Sequence, residues 1–345
     1  MKFSVKNKNF FGLDLGLNSI RLVQLNHNQP KSLMHYSFIP VDPKLMVSES
    51  KTDRDKIIST IKEIYVKSGI NTKNVAVGVH SNKIFNTVVD IDRLKPTELS
   101  KTIQYQADSF IPTSINDSII DWSVLGDSPK DKNKVEVLLT STTKNYANYL
   151  LDLVEMAGLN VIALEPDVMA FTRSLVNLSF AEPEMIFYMD LNSTDLVMLI
   201  NNIPRIIRTI PTGSNSLVNS IAQNLNIEIP QAEQYLFKFG ADQNKLDGQI
   251  FQSITATLDN LFVEVEKSIN FFYSRYDGIK FSKIIVAGFA CVIPQLPILI
   301  ANRFNLNVEL GNSWGNVDFD LNIRTELMSY SYIFSVASGL AQRQS

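Results

Sequence analysis

The hydrophobic and polar positions of the chain begin with two largely apolar runs, at residues 10–16 and 20–25, separated by a short polar turn. This pattern is typical of a β-hairpin, and here Asp14 stands just before the turn. A near copy follows in the second half, where the polar segment 190–195 separates two further apolar runs. The repeat predicts two related α/β halves, each beginning with a hairpin whose turn carries an aspartate.

Apolar residues elsewhere recur at alternating or helical spacing. The predicted strands are 75–79, 85–91, 118–125, 135–140, 161–164 and 284–287. The predicted helices are 53–68, 96–110, 143–157, 167–178, 217–225, 231–239, 294–304 and 332–342. A long amphipathic helix is predicted from apolar residues spaced by four and three: Leu258, Phe262, Val265, Ile269 and Phe272.

Length and composition add limits on the class of protein. A chain of 345 residues exceeds the usual domain of about 150 residues, so two lobes are expected. Hydrophobic residues make up 45% and charged residues 19%, which excludes a disordered or disulfide-rich chain. The formal net charge of -3 gives no basis for nucleic-acid binding.

Cysteine usage and hydropathy point to a cytoplasmic protein. The single cysteine, Cys291, excludes an intramolecular disulfide and a cysteine-based zinc site. No apolar run approaches the roughly 20 residues of a membrane span, and residues 1–9 show no signal-peptide pattern. We therefore expect membrane association only through a partner.

Three turns at strand ends are the candidate places for chemistry: 14–20, 190–195 and 287–290. Tight turns present backbone N–H groups to phosphate oxygens, and an aspartate at a strand end can hold hydrated magnesium. Each turn by itself is more often a purely structural turn. The histidines His27, His35 and His80 lie away from these motifs in the sequence, so no catalytic base is predicted.

The order of these turns resembles the actin-like ATPase superfamily, which includes actin, heat-shock chaperones, sugar kinases and FtsA. Four segments are similar to motifs of the type IV pilus assembly protein PilM family. They are Gln-Ala-Asp-Ser-Phe-Ile-Pro at 106–112, Ile-Asp-Trp-Ser-Val-Leu-Gly at 120–126, the long-helix segment 263–273, and the closing segment 332–341, which contains Val-Ala-Ser-Gly-Leu-Ala.

This resemblance implies an α/β, two-lobed actin-like ATPase fold with an α+β subdomain inserted in the first lobe. The implied lobes are 1–182 and 183–324. Their parts are a first core at about 1–44 and 127–182, an insertion at about 45–126, a second core at about 183–215 and 281–324, a helical subdomain at about 216–280, and a closing helix at about 325–345 that belongs to the first lobe.

The resemblance also implies an ATP site with magnesium held at Asp14 and Asp190. The implied nucleotide-binding residues are Asp14, Gly16, Asn18, Ser19, Asp190, Asn192, Ser193, Thr194, Gly213, Glu233 and Gly288.

Three departures from the family pattern weaken the expected ATP site. Asn192 replaces a glycine, although asparagine tolerates a left-handed turn. Leu236 replaces a lysine, and Phe289 replaces the second glycine of a pair, where its ring would either block adenine or stack on it. Asp195 adds a negative charge that opposes anion binding. A weak nucleotide binder and a nucleotide-free scaffold both stay open.

PilM proteins bind the N-terminal cytoplasmic tail of the inner-membrane protein PilN. The resemblance implies a cytoplasmic scaffold, peripheral to the inner membrane, with a PilN-like tail, the PilN–PilO platform and the pilus motor ATPases as partners. No motif marks the residues of the peptide groove, and self-association is open. The alternatives are an actin-like ATPase or small-molecule kinase, a filament-forming relative of FtsA, and the homologous platform protein of a type II secretion or related pilus system. At most a slow ATPase is expected.

Overall fold

The computed structural model describes residues 9–26, 28, 30–48, 50–179 and 181–344. His27 and most of the N-terminal segment that carried the signal-peptide expectation lie outside these residues. The chain forms two compact units. The first comprises Met1–Gly126, Asn133–Asn177 and Ser313–Ser345, and the second comprises Asp127–Lys132 and Leu178–Asn312.

Thirteen strands and eleven α-helices are assigned within the described residues. The strands are β1 (Phe11–Leu15), β2 (Ser19–Asn26), β3 (Ser32–Pro40), β4 (Asn74–Val79), β5 (Ile84–Asp92), β6 (Ser118–Asp127), β7 (Lys134–Thr143), β8 (Asn160–Pro166), β9 (Glu184–Met189), β10 (Thr194–Ile200), β11 (Ile203–Ile210), β12 (Lys283–Gly288) and β13 (Asn307–Leu310). The helices are α1 (Pro43–Val47), α2 (Lys51–Ser68), α3 (Pro96–Phe110), α4 (Lys144–Met156), α5 (Asp167–Leu175), α6 (Ser214–Leu225), α7 (Ile229–Phe239), α8 (Gln249–Arg275), α9 (Leu296–Phe304), α10 (Arg324–Ser329) and α11 (Ser331–Ala341).

The first unit is built on a five-stranded sheet in the order β3-β2-β1-β4-β8. β1 pairs antiparallel with β2 and parallel with β4, which confirms the first predicted hairpin. Successive side chains of a strand point to opposite faces. Leu13 of β1 therefore joins a core with Ile61 of α2 and Val154 of α4, whereas its neighbour Gly12 lies directly against the backbone of α11.

The inserted subdomain differs in extent from the expected 45–126. Its three-stranded sheet has the order β5-β7-β6, and Ile103 of α3 packs with Val137 of β7 beneath it. The inserted subdomain therefore includes β7 and extends beyond residue 126. By contrast, α2 and β4 belong to the main sheet and its core, because Ile61 packs there with Val77.

The segment 313–324 also differs from the expected division, which gave it to the second lobe. Trp314 is buried in one cluster with Val23 of β2 and Phe334 of α11. Ser313 donates its backbone N–H to Ser331 Oγ at 2.9 Å. Both contacts fix this segment to the first unit.

The second unit contains a five-stranded sheet in the order β11-β10-β9-β12-β13, with β9 and β10 forming the second predicted hairpin. The predicted long helix is α8, and its apolar stripe from Leu258 to Phe272 is buried as its spacing required. The sequence did not predict β3, β11 or β13. No helix within the described part of the chain is long and apolar enough to span a membrane.

Candidate functional site

The first candidate turn is organised by a buried ion pair. Asp14 and Arg21 face each other in the antiparallel register of β1 and β2. Arg21 Nη1 donates to Asp14 Oδ2 at 2.5 Å, and the two residues are only 5% and 2% exposed. The carboxylate that sequence reasoning assigned to magnesium is therefore occupied by a guanidinium.

The same guanidinium reaches the tip of the turn. Arg21 Nη2 donates to Asn18 Oδ1 at 3.0 Å, and Ser19 Oγ donates to the same oxygen at 3.3 Å. A Cβ atom on Gly16 would lie 2.4 Å from Arg21 Nη1, so a larger residue there would require the guanidinium to shift. Asp14, Gly16, Asn18 and Ser19 are thus brought together, around a cation that sequence reasoning missed.

Arg21 could have been found from the hairpin itself. A charged residue inside an apolar strand signals a buried partner. In a hairpin with a turn after Leu15, positions 14 and 21 fall opposite each other, as the register shows. A cation among turn N–H groups is suited to hold an anionic oxygen.

The second turn, between β9 and β10, closes through its backbone. Asp190 donates its N–H to the carbonyl of Ser193 at 2.8 Å. Within the described residues the Asp190 carboxylate makes no hydrogen bond or ion pair. Asn192 Oδ1 accepts a hydrogen bond from Asn215 at 2.9 Å. Asn192 does not have a positive φ, so the glycine that it replaces is not needed there for backbone reasons.

One hydroxyl and one carboxylate near this turn, those of Thr194 and Asp195, already make hydrogen bonds. Thr194 Oγ1 donates to the carbonyl of Thr212 at 2.7 Å and is fully buried. Asp195 Oδ1 accepts from Thr209 Oγ1 on β11 at 2.5 Å. Of the predicted hydroxyl donors, Ser193 is left with a hydroxyl that makes no hydrogen bond among the described residues.

Gly213 and Gly288 brace the second turn. A Cβ on Gly213 would lie 2.4 Å from the Leu191 carbonyl oxygen, and the N–H of Ser214 donates to the Asp190 carbonyl at 3.0 Å. Gly288 has φ of 65°, and its Cβ would lie 2.2 Å from a carbonyl oxygen of β9. Both glycines allow the backbone to approach closely, and they hold the turn against α6 and β12.

Glu233 and Leu236 lie on α7, and Phe289 packs against this helix. Glu233 is exposed, and no hydrogen bond or ion pair within the described chain joins it to the second turn. Leu236 is fully buried, so it is a core residue of the helix. Phe289 is 8% exposed and its ring centroid lies 6.0 Å from that of Phe237. The ring packs against α7, which leaves it little surface for a nucleotide base.

The structure corrects one further expectation. Sequence reasoning placed all three histidines away from the phosphate motifs. His80, at the end of β4, has its Nε2 atom 2.8 Å from the carbonyl oxygen of Leu15, the residue directly before Gly16. His35 lies in β3. Within the described residues, no group of three or more histidine, cysteine, aspartate or glutamate side chains is placed to hold a metal ion.

Comparison with known proteins gives a consistent result. The family model for the type IV pilus assembly protein PilM matches residues 12–345. The chain is similar to a solved PilM–PilN type IV pilus biogenesis complex, with 20% identity, 98% of this chain and 99% of that chain covered, and a TM-score of 0.85.

Two other solved structures share the architecture. Ethanolamine utilization protein EutJ from Carboxydothermus hydrogenoformans has 13% identity over 96% of this chain and 88% of that one, with a TM-score of 0.56. MreB5 of Spiroplasma citri bound to ADP has 11% identity over 96% of this chain and 94% of that one, with a TM-score of 0.52. These likenesses show that the chain has the α/β actin-like ATPase fold.

Proposed function

Since the chain belongs to the type IV pilus assembly protein PilM family, we propose that it is a scaffold of a type IV pilus machine that captures the N-terminal cytoplasmic tail of a PilN-like membrane protein. The observation that carries the proposal is the match of the family model to residues 12–345. The near-complete likeness to a PilM–PilN complex supports the same partner.

The proposal places the protein in the cytoplasm at the inner membrane, where the PilN-like tail would hold it. The PilN–PilO platform and the pilus motor ATPases are the proposed further partners. Support comes from the family membership and from the described helices, none of which is long and apolar enough to span a membrane.

We further propose that the chain binds ATP. In the first unit the contacts would come from Gly16, Asn18, Ser19 and the Arg21 guanidinium, which lies within hydrogen-bonding distance of Asn18. An arginine fork offers several N–H donors to phosphate oxygens. Binding there requires Arg21 to share its donors between Asp14 and the phosphate.

In the second unit the proposed contacts come from the Ser193 hydroxyl and the Asp190 carboxylate, neither of which has a hydrogen bond or ion pair among the described residues. Gly213 and Gly288 would act indirectly, by holding the turn in place. Thr194 would not contact phosphate, because its hydroxyl donates to a carbonyl.

Magnesium fits the two predicted aspartates unequally. Carboxylates are preferred ligands of this ion. The Asp190 carboxylate is free to hold a hydrated magnesium ion, whereas the Asp14 carboxylate is paired with Arg21 at 2.5 Å and does not fit. A bound ion would neutralise phosphate charge, and we propose that the nucleotide tunes tail binding, with any hydrolysis slow.

The scaffold proposal is tested by fluorescence anisotropy of a labelled synthetic PilN tail from the same organism, titrated with the full chain. We expect saturable one-to-one binding, and no binding of a scrambled peptide of equal composition. Absence of binding to the native tail, by protein that is folded by circular dichroism, would overturn the proposal.

The nucleotide proposal is tested by calorimetric titration with MgATP and, separately, with ATP in EDTA. Asp190→Asn should weaken MgATP binding without weakening the binding of metal-free ATP, because it removes a carboxylate that repels phosphate when no cation is present. An equal loss of affinity for MgATP and for metal-free ATP would show that Asp190 does not hold magnesium. If the natural chain bound neither ligand, the nucleotide proposal itself would be overturned.

A further inference from the structure

His80 connects the first turn to the start of a helix. Its Nε2 atom lies 2.8 Å from the carbonyl oxygen of Leu15, at the end of β1. Its Nδ1 atom lies 3.1 Å from Oδ2 of Asp167, the first residue of α5. The side chains of His80 and Asp167 are 20% and 9% exposed, so both contacts are largely shielded from water.

Both partners of the ring accept hydrogen bonds. A backbone carbonyl has no proton to donate, and neither has a carboxylate. A neutral imidazole carries one N–H group and can serve only one of these acceptors, whereas imidazolium carries two. The geometry therefore fits the doubly protonated ring, whose charge the Asp167 carboxylate balances.

The contact with Leu15 bears on the turn directly. The β1–β4 ladder runs from Phe11↔Val75 to Leu13↔Val77, whereas β1 stays paired with β2 up to Leu15↔Ile20. Past the end of the β1–β4 ladder, His80 donates a hydrogen bond to the Leu15 carbonyl. That carbonyl shares a planar trans peptide with the N–H of Gly16, and fixing the direction of one fixes the direction of the other.

We propose that His80 is a pH-sensitive positioning residue of the first turn, holding the Gly16 N–H in place while the imidazole is doubly protonated. When the ring loses a proton, one of the two hydrogen bonds is lost and the turn gains freedom. The inference deepens the proposed ATP site and rests on it for its consequence, although the link itself exists without nucleotide.

The charged and titratable groups near His80 do not take its place between the Leu15 carbonyl and the Asp167 carboxylate. Burial, and then the charge of Asp167, raise the pKa of Tyr146 on α4, so this phenol stays neutral. The Nζ atom of Lys83 lies 5.6 Å from the centre of the Tyr146 ring. On β1 and β2, Asp14 and Arg21 pair with each other. Glu165 of β8, the strand beside β4, pairs with Arg173 and Arg343.

The link is tested first by long-range nitrogen–proton NMR of the nucleotide-free full chain. His80→Gln assigns the ring signals, and His35→Gln is the matched control. Near pH 7 we expect two protonated ring nitrogens on His80, and a Gly16 amide shift that follows the titration of this ring in the natural chain and in His35→Gln, but not in His80→Gln. A neutral ring near pH 7, or a Gly16 shift that titrates equally in His80→Gln, would overturn the proposal.

The consequence is tested by MgATP affinity between pH 6.5 and 8.5. A hydrogen bond to a charged group is worth enough to change an equilibrium about tenfold. The natural chain and His35→Gln should therefore lose about tenfold more affinity over this range than His80→Gln, which retains only the titration of the nucleotide. Parallel profiles would overturn the positioning role.

Two outcomes separate this inference from the proposed function. If the natural chain binds no nucleotide, the ATP proposal fails while the NMR readouts still decide the link. If His80→Gln does not fold, Asp167→Asn keeps an acceptor for Nδ1 but removes the charge, and should shift the ring titration to lower pH; an unchanged titration would contradict the proposal.

Discussion

Replacing Arg21 with methionine tests whether the buried ion pair organises the first turn. Arg21→Met keeps a flexible, unbranched apolar stem, which is shorter than the arginine, and removes the charge. It leaves the Asp14 carboxylate, 2% exposed, without the guanidinium that lies 2.5 Å away. It also removes the hydrogen bond to Asn18.

The expected cost follows from the burial of both charges. Removing one partner of a buried pair destabilises a protein by about 3–5 kcal/mol, because the other charge stays buried and uncompensated. Replacing both partners with apolar residues of similar size is often neutral. The double variant Asp14→Leu, Arg21→Met should therefore be more stable than either single variant.

The two tryptophans make the measurement specific for the first unit, since Trp122 and Trp314 both belong to it. Trp314 is buried in one cluster with Val23 and Leu25 of β2. In a Trp122→Phe background, urea unfolding followed by Trp314 fluorescence reports on the core beside the ion pair. With a slope of about 2 kcal/mol per molar urea, a loss of about 4 kcal/mol lowers the midpoint by about 2 M.

The refuting results are equally definite. A loss below about 1 kcal/mol for Arg21→Met would mean that the pair is not buried as described. A double variant whose loss equals the sum of the two single losses would mean that Asp14 and Arg21 are energetically independent.

Three further predictions concern the second unit. Burial raises the pKa of Glu184 above its ordinary 4.5, so the folded state holds this proton more tightly and stability falls as the pH rises from 4.5; Glu184→Gln should flatten that slope in urea unfolding followed by circular dichroism, and an unchanged slope would contradict it. Gly288→Ala meets both a φ of 65° and a carbonyl 2.2 Å away, whereas Gly278→Ala meets only a φ of 75° with no atom within 4 Å; calorimetry should show a loss for Gly288→Ala larger by about 2 kcal/mol, and equal losses would refute the collision. Thr194→Val should cost about 1–3 kcal/mol of stability without changing MgATP affinity, and Ser193→Ala should do the reverse, because only the Thr194 hydroxyl is already hydrogen-bonded; the opposite pattern in paired unfolding and binding titrations would exchange their roles.

The hairpins and the long helix were predictable because their patterns are local. Two apolar runs around a polar turn at 10–25 predict β1 and β2, and spacings of four and three from Leu258 to Phe272 predict α8. Such patterns are fixed by which face is buried, whatever covers it. β3, β11 and β13 escaped because each lies at an edge of its sheet and mixes polar with apolar residues.

The extent of the insertion was not predictable from local pattern. α2 is amphipathic whether it covers the main sheet or an inserted one. Only the long-range packing of Ile61 with Val77 places it on the main sheet. The same reason explains Trp314, which contributes to the core of the first unit although residues 178–312 before it belong to the second.

The candidate site also has a part that local sequence pattern predicts and a part that depends on long-range contacts. The turn 14–20 was predicted from the residues, whereas Gly16, Asn18 and Ser19 were implied by the family resemblance. The opposing positions of Asp14 and Arg21 in the hairpin contained the missing pair. No local signal pointed to His80, whose contact with Leu15 spans 65 residues. The packing of the Phe289 ring against Phe237 was not predictable either. Phe237 lies 52 positions earlier in the chain, and no sequence pattern connects the two residues.

The central claim is that this chain captures a PilN-like tail under the influence of ATP. Its most direct test is calorimetric titration of the full chain with the synthetic PilN tail, with and without saturating MgATP. The account predicts one-to-one binding in both conditions and an affinity that changes with MgATP; the affinity for MgATP must then change by the same factor when the tail is bound. A folded chain that binds no tail in either condition would contradict the scaffold, and a tail affinity identical with and without bound MgATP would contradict the coupling.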